Sequence, residues 1–314
     1  MKSVPPPVRS ILEAIGNTPL VQLQHVVPAD AAKIFLKLEY YNPTGSYKDR
    51  MALAMISEAE KRGDLKPGMR VIEYTGGSTG SSLAMVCAAK GYLFNPLCSD
   101  AYAREKLQTM RAFGADLELI ASDGGRITPE LFNRFKIRIE QMAAEPGTFY
   151  TDQFHNTDAI AGYKGIGEEL IAQMNGGISV FCGGVGTGGM LVGVSCALKA
   201  AGCTAKIVAL EPAESPVLTT GKPGPHRVEG IGVGFWPPHL KAGDYDEVRV
   251  IDEDAARQTA RRLAAEEGIL SGTSTGLNVA AAILMAREYG PKATIVTVAC
   301  DTGLKYLGGD LFYT

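Results

Sequence analysis

Asn42-Pro43-Thr44-Gly45-Ser46-Tyr47-Lys48-Asp49-Arg50 sets a single lysine between a Pro/Gly turn and an apolar helical run. Upstream, Ile34, Leu36 and Leu38 alternate as in a strand, and downstream Met51, Met55, Ile56 and Ala59 recur at helical spacing. Lys48 therefore stands at a strand-to-helix junction. The helix dipole disfavours a cation at that end, so this lysine is either an ordinary solvated side chain or one with a task. Two later glycine loops favour the task.

Working outward, extended runs recur at Lys33 to Leu38, Arg70 to Tyr74, Asp116 to Ile120, Val180 to Cys182, Lys206 to Leu210 and Thr294 to Ala299. They alternate with helical patterns, and many are apolar on both faces, as in an α/β fold with a buried, mostly parallel sheet. Thr128-Pro129-Glu130 supplies a capping hydroxyl, a proline and an acid ahead of a helix from Leu131 to Met142. Asp252-Glu253-Asp254 opens another that runs through Ala264. Thr219 to Pro238 has no clear period and reads as a long ordered loop. A domain division is expected near Phe149 to Asn156.

The first glycine loop, Thr75-Gly76-Gly77-Ser78-Thr79-Gly80, follows a strand and precedes an apolar helix beginning at Ser81. Backbone N–H groups and hydroxyls at a helix N-terminus favour an anion. The second, Gly183-Gly184-Val185-Gly186-Thr187-Gly188-Gly189, again links a strand to a helix, Met190 to Ala200. So many glycines cost backbone entropy, and close approach by a ligand such as phosphate is the economical explanation. No Gly-Lys-Ser/Thr ending marks a nucleotide P-loop, and no ribose-binding acid follows at Rossmann spacing. A third cluster, Ser271-Gly272-Thr273-Ser274-Thr275-Gly276, reads by itself as helix capping. A lysine able to form an imine, beside a phosphate cradle and a second anion site, is what pyridoxal phosphate requires.

Composition narrows the remaining classes. With 314 residues, 46% of them apolar, the chain can bury a core for one large or two ordinary domains, and disorder is excluded. A net charge of −3 offers no footprint for nucleic acid or an anionic membrane. The six cysteines form neither a C-x-x-C pair nor a zinc spacing, so no metal is expected and the thiols read as reduced. With no apolar run long enough to cross a bilayer, a soluble cytoplasmic protein is expected.

In family order, the chain carries Gly16-Asn17-Thr18-Pro19-Leu20, Asn42 to Arg50, Gly183 to Gly189, Glu211 to Leu218, Gly221 to His226, Gly230-Ile231-Gly232 and Glu267-Gly268-Ile269-Leu270. Together these resemble the cysteine synthase and cystathionine β-synthase branch of the fold-type II, tryptophan synthase β-like enzymes that use pyridoxal 5'-phosphate. The resemblance implies a two-domain α/β fold, each domain a mostly parallel twisted sheet flanked by helices, with the cofactor in the interdomain cleft. Residues 45–155 would form a smaller, mobile substrate-loop domain, and 1–44 plus 156–314 a larger phosphate-binding one. Lys48 would be the catalytic Schiff-base lysine, Gly186, Thr187, Gly188 and Gly189 would hold the cofactor phosphate, and Ser274 would meet the pyridine nitrogen. Thr75, Gly76, Ser78, Thr79 and Gln153 would surround the substrate carboxylate, Ser78 also touching the cofactor, with Gly230 lining the substrate side.

A neutral hydroxyl at position 274 does not keep the pyridine nitrogen protonated. That favours loss of a β-substituent as the α-proton leaves, followed by addition of a nucleophile. The implied reaction is β-replacement on an activated L-serine such as O-acetylserine, with sulfide or another small nucleophile. The alternatives are β-elimination by a desulfhydrase or deaminase, a nitrogen nucleophile, and a non-catalytic binder of a partner enzyme's C-terminal peptide. The resemblance also implies a homodimer. The chain departs from the family pattern at Gly76, where serine is usual, at Ser78, where asparagine is usual, and at Met190, where threonine is common. Lys164 to Glu169 replaces a usual Thr-Gly-Pro-Glu. Asp301 is a second candidate for the pyridine side, its simpler reading being a helix N-cap.

Overall fold

The run Thr294 to Ala299 is apolar on both faces because it lies at the middle of a sheet, and the elements before it in the chain build outward from that position. The computed structural model describes residues 6–124, 129–175 and 177–313, so the cap expected at Thr128 lies outside the described residues. The first elements are β1 (Leu20–Gln22), β2 (Lys33–Leu38) and α1 (Lys48–Arg62). A run of βα units follows: β3 (Arg70–Tyr74), α2 (Ser78–Lys90), β4 (Leu93–Ser99), α3 (Arg104–Ala112), β5 (Glu118–Ile120), α4 (Pro129–Ala143) and β6 (Thr148–Tyr150). The chain continues through α5 (Asp158–Met174), β7 (Val180–Gly184), α6 (Gly189–Ala200), β8 (Lys206–Pro212), the short α7 (Val217–Thr220) and β9 (Glu247–Ile251). It closes with α8 (Glu253–Glu267), α9 (Thr273–Tyr289) and β10 (Thr294–Ala299).

Two sheets result. A six-stranded sheet has the order β1-β2-β10-β7-β8-β9, and a four-stranded sheet the order β5-β4-β3-β6. Every pairing is parallel except β1 with β2. Helix crossovers cover both faces of such sheets, which is why β7 is buried at every residue. Helix ends obey local chemistry: Gly63 terminates α1 at φ +79, and the Asp252 side chain accepts the Ala255 N–H at 2.8 Å to cap α8.

The structure adds strands that were not legible. β4 contains Asn95 and Pro96, which read as a turn, yet it lies inside the small sheet between β3 and β5. β9 carries Arg249 and Glu247 at an edge, and β1 and β6 have only three residues each. The run expected from Asp116 shrinks to Glu118–Ile120. The expected loop after Thr219 extends beyond Pro238, with no helix or strand from 221 to 246.

A buried ionic network fixes the start of α1. Arg50 donates to both oxygens of Glu39, with Nε to Oε2 at 2.7 Å and Nη2 to Oε1 at 2.9 Å. It also donates to Glu169 on α5, at 2.7 and 2.9 Å. Lys37 on β2 reaches Glu169 at 2.6 Å and the Thr18 carbonyl at 2.6 Å. Burial pushes the Glu169 carboxyl up, but the hydrogen bonds and charges of Arg50 and Lys37 outweigh it and hold the group at about 2. Glu169 belongs to the segment that departs from the family pattern, and its carboxylate also accepts the Asn17 N–H at 2.8 Å.

Removing Arg50 strands the buried Glu39 carboxylate and leaves the half-buried Glu169 with Lys37 as its remaining cation. Arg50→Leu is expected to cost about 3–5 kcal/mol in urea unfolding. Because the Glu169 pKa is depressed on folding, its contribution is complete above the unfolded value of about 4.5 and is lost as pH falls toward 2. Glu169→Gln should therefore flatten the acid limb of the stability profile between those values.

Candidate active site

Strands ending on the same side of their sheets feed a shared cleft. β3 delivers the loop 75–77 into α2, β7 delivers the glycine loop into α6, and β10 delivers Cys300 and Asp301. Ligands of open parallel sheets bind beyond such carboxyl ends. The cleft, of about 920 Å³, is lined by Lys48, Thr75, Gly76, Ser78, Thr79, Gln153, Thr187, Gly230 and Ser274 among others. Sequence-predicted residues from six separate stretches of chain thus meet at one site. Gly186, Gly188 and Gly189 lie behind Thr187 and do not line the wall.

Lys48 is the first residue of α1 and is 8% exposed, which overturns the solvated reading. Its amine lies 5.0 Å from the Tyr47 ring centroid and 6.0 Å from that of Tyr163. Burial pushes its pKa down to about 8, against the opposing pull of Cys300, Asp301 and Glu73. Roughly a tenth of the amine is then neutral at pH 7, orders of magnitude more than for a solvated lysine.

The glycine loop has more than one cause. A Cβ at Gly183 would lie 2.7 Å from the Met190 methyl, and one at Gly186 would overlap the Gly230 carbonyl oxygen. Protein packing, and not ligand approach alone, therefore forbids side chains there. Gly188 differs: it caps α6 at φ +84, a left-handed conformation that glycine adopts without strain. The first-turn N–H groups of α6 have no intrahelical acceptor and open toward Thr187 at the cleft wall. Tyr163 connects this loop to the amine, since its Cε2 would stand 3.4 Å from a Cβ on Gly189.

The loop after β3 is held at each hydroxyl. Thr75 Oγ1 accepts the Gly77 N–H at 3.3 Å, and Thr79 Oγ1 donates to Gln153 Oε1 at 2.8 Å. The Gln153 carbonyl meets His239 Nε2 at 3.0 Å, and burial lowers that imidazole's pKa, so Nε2 donates as a neutral ring. Ser78, which starts α2 three residues before the expected Ser81, donates to Asp301 Oδ2 at 3.2 Å and accepts from Lys305 Nζ at 3.1 Å. Its single proton is therefore engaged within the protein. Gly76 is explained by Tyr102: a Cβ at Gly76 would overlap the tyrosine ring, so the usual serine has no room.

Two capping expectations fail. Gly272 caps α9 without a side-chain bond, while Thr273 Oγ1 accepts the Glu229 N–H at 3.1 Å and Thr275 Oγ1 accepts the Cys300 N–H at 3.0 Å. These hydroxyls tie neighbouring segments to the helix start, and Ser274 stands beside the Cys300 thiol. Asp301 caps nothing; Thr302 caps the following turn, its Oγ1 accepting from Leu304 N at 3.3 Å. Asp301 instead takes the Tyr306 hydroxyl at 2.8 Å, while its Oδ1 is buried and meets no hydrogen-bond partner among the described residues. Tyr102, His239 and Lys305 carried no motif in the sequence, because only the fold brings them to the site.

A family model described as pyridoxal-phosphate dependent enzyme matches residues 11–301. Cysteine synthase of Staphylococcus aureus is 42% identical over 308 residues, covering 98% of this chain and 97% of that one. O-ureido-L-serine synthase of Streptomyces lavendulae is 38% identical over 314 residues, with 98% and 93% covered. The crystal structure of cysteine synthase from Entamoeba histolytica superposes with a TM-score of 0.91 at 35% identity, over 100% of this chain and 94% of that one. With a buried lysine and a helix-opening glycine loop on one cleft, and matches that run almost end to end, the chain belongs to the pyridoxal-phosphate-dependent enzyme family, in its cysteine synthase branch.

Proposed function

We propose that this protein catalyses β-replacement on an activated L-serine of the O-acetylserine kind, with sulfide or another small nucleophile, using pyridoxal phosphate held between Lys48 and the N-terminus of α6. One observation carries the assignment: a desolvated amine is separated from the glycine loop by a single ring, that of Tyr163. The residues present fit the cofactor. Lys48 would bond its aldehyde carbon, Gly186 to Gly189 and the Thr187 hydroxyl would take its phosphate, and Ser274 would meet the ring nitrogen. Bound there, the cofactor supplies the electron sink that lets a Cα–H ionise.

The chain's own groups do the rest. Lys48, neutral in part because it is buried, holds the Cα proton. Thr75 and the first N–H groups of α2 take the substrate carboxylate, with Thr79 holding the Gln153 amide beside them and His239 fixing the Gln153 backbone carbonyl. Closure of residues 45–155 toward the larger unit, comprising 1–44 and 156–314, excludes water and favours replacement over hydrolysis. Engagement of Ser78 by Asp301 and Lys305 gives a second reading some weight: a nitrogen nucleophile, as the O-ureido-L-serine synthase relative suggests. In the same reading the enzyme works as a cytoplasmic homodimer, and the α2 N-terminus could also receive a partner's C-terminal carboxylate.

Purified protein should absorb as a lysine-bound cofactor and convert O-acetyl-L-serine and sulfide to cysteine, identified by mass. Lys48→Ala should lose that absorption and at least about 10³-fold in rate. A chain without bound cofactor, or one giving only pyruvate in the presence of sulfide, would defeat replacement. Because the Lys48 pKa lies near 8, the apoprotein should take up pyridoxal phosphate faster as pH rises from 6 to 9, levelling above 8, when stopped-flow absorbance is followed. Gly76→Ser should lower kcat/KM by about tenfold or more through its clash with Tyr102, and Tyr102→Ala should restore part of the loss.

A further inference from the structure

Lys106 has no part in the chemistry above, yet it is a buried cation on the cleft wall. It lies on α3, is 5% exposed and lines the cleft together with Lys48. Its Nζ rests 4.8 Å from the centroid of the Tyr306 ring, whose hydroxyl donates to Asp301, and Asp301 is close enough to influence the Lys48 amine. Lys106 is therefore about one tyrosine ring from the groups beside the reacting lysine. It forms an ion pair with Glu229, which comes from the irregular segment of the other sheet's unit. The two partners are unequal: the lysine is buried, whereas the Glu229 side chain is 48% exposed. Glu229 is also followed by Gly230, Gly232 and Gly234, all in left-handed conformations that glycine adopts without strain.

We infer that Lys106 is a subsite for an anionic group on the β side of the substrate, and that Glu229 occupies it as a displaceable stand-in. A buried ammonium needs a negative partner, and losing one without replacement is costly. A glutamate that is half in water gives up little on swinging out, so an incoming anion exchanges one charge for another and no buried charge is left unpaired. Lys305, a half-buried cation held at Ser78, adds to the positive field that would receive such a group. The inference rests on the β-replacement reading and deepens it: the preferred reactant carries a phosphoryl or carboxylate substituent, on either the leaving group or the nucleophile.

The test compares O-phospho-L-serine with O-acetyl-L-serine, each with hydrosulfide, and then O-acetyl-L-serine with the anionic thiol mercaptoacetate in place of hydrosulfide. Conversion of O-acetyl-L-serine by wild-type protein establishes the underlying reading first, so failure there is distinct from failure of the subsite. Lys106→Gln should raise KM for the anionic reactant at least about tenfold relative to the neutral one, and Lys106→Arg should recover most of it. Glu229→Gln should shift the same ratio the opposite way, about three- to tenfold. The serine pair and the thiol pair tell a leaving-group anion from a nucleophile anion. Equilibrium binding of the two serines to Lys48→Ala protein by calorimetry gives the same comparison without turnover. Equal changes for neutral and anionic reactants in both variants would make the ion pair a mere strut across the cleft and overturn the subsite. Should Lys106→Gln fail to fold, Glu229→Gln decides: no gain in affinity for either anion overturns it.

Discussion

Arg50 is the constraint from which the site follows. Its guanidinium grips Glu39, just after β2, and Glu169 on α5, so the first turn of α1 is clamped between the sheet and a neighbouring helix. Lys48 lies two residues earlier on that turn. A lysine buried at a helix N-terminus gains nothing from the dipole and loses hydration, and left to itself the turn would rotate it toward water. The bidentate clamp prevents this: bonds at both ends of the guanidinium fix the helix in rotation as well as position. The burial of the amine is thus sustained by a network that does not line the cleft.

Electrostatically the cleft is assembled from helix starts. α1, α2, α6 and α9 begin at its wall, and the partial positive charge of each adds to the others. That field suits a phosphate at α6 and a carboxylate at α2 without requiring an arginine at either. It also opposes protonation of Lys48, in the same direction as burial. Asp301 and Cys300 partly counter it, leaving an amine near the middle of the physiological range.

Two departures from the family pattern lie in the stretch that leads from β3 into α2, and each meets a group from elsewhere in the chain. Tyr102 leaves no room for a side chain at Gly76, and the Ser78 hydroxyl is hydrogen-bonded by Asp301 and Lys305. The groups that meet them come from the turn before α3 and from the turn after β10.

The sequence by itself determined the α/β class, the strands at β2, β3 and β10 to the residue, and the loops that would meet at a site. Those features are written in local periodicity and in Gly, Ser and Thr at strand-to-helix junctions, which act over a few residues. Strand β4 was hidden because Pro96 is a breaker locally, and only its place between two strands makes it extended. A further cause of the glycine at 186 was hidden for a related reason, since the Gly230 carbonyl that a side chain there would meet is far away in sequence. Tertiary structure alone decided that Lys48 is dry, that Tyr102 excludes a side chain at 76, that Asp301 serves Ser78 and Tyr306, and that Lys106 faces Glu229. Each of these depends on distance through space between segments far apart in the chain, and desolvation and steric exclusion are properties of the assembled interior that no local pattern encodes.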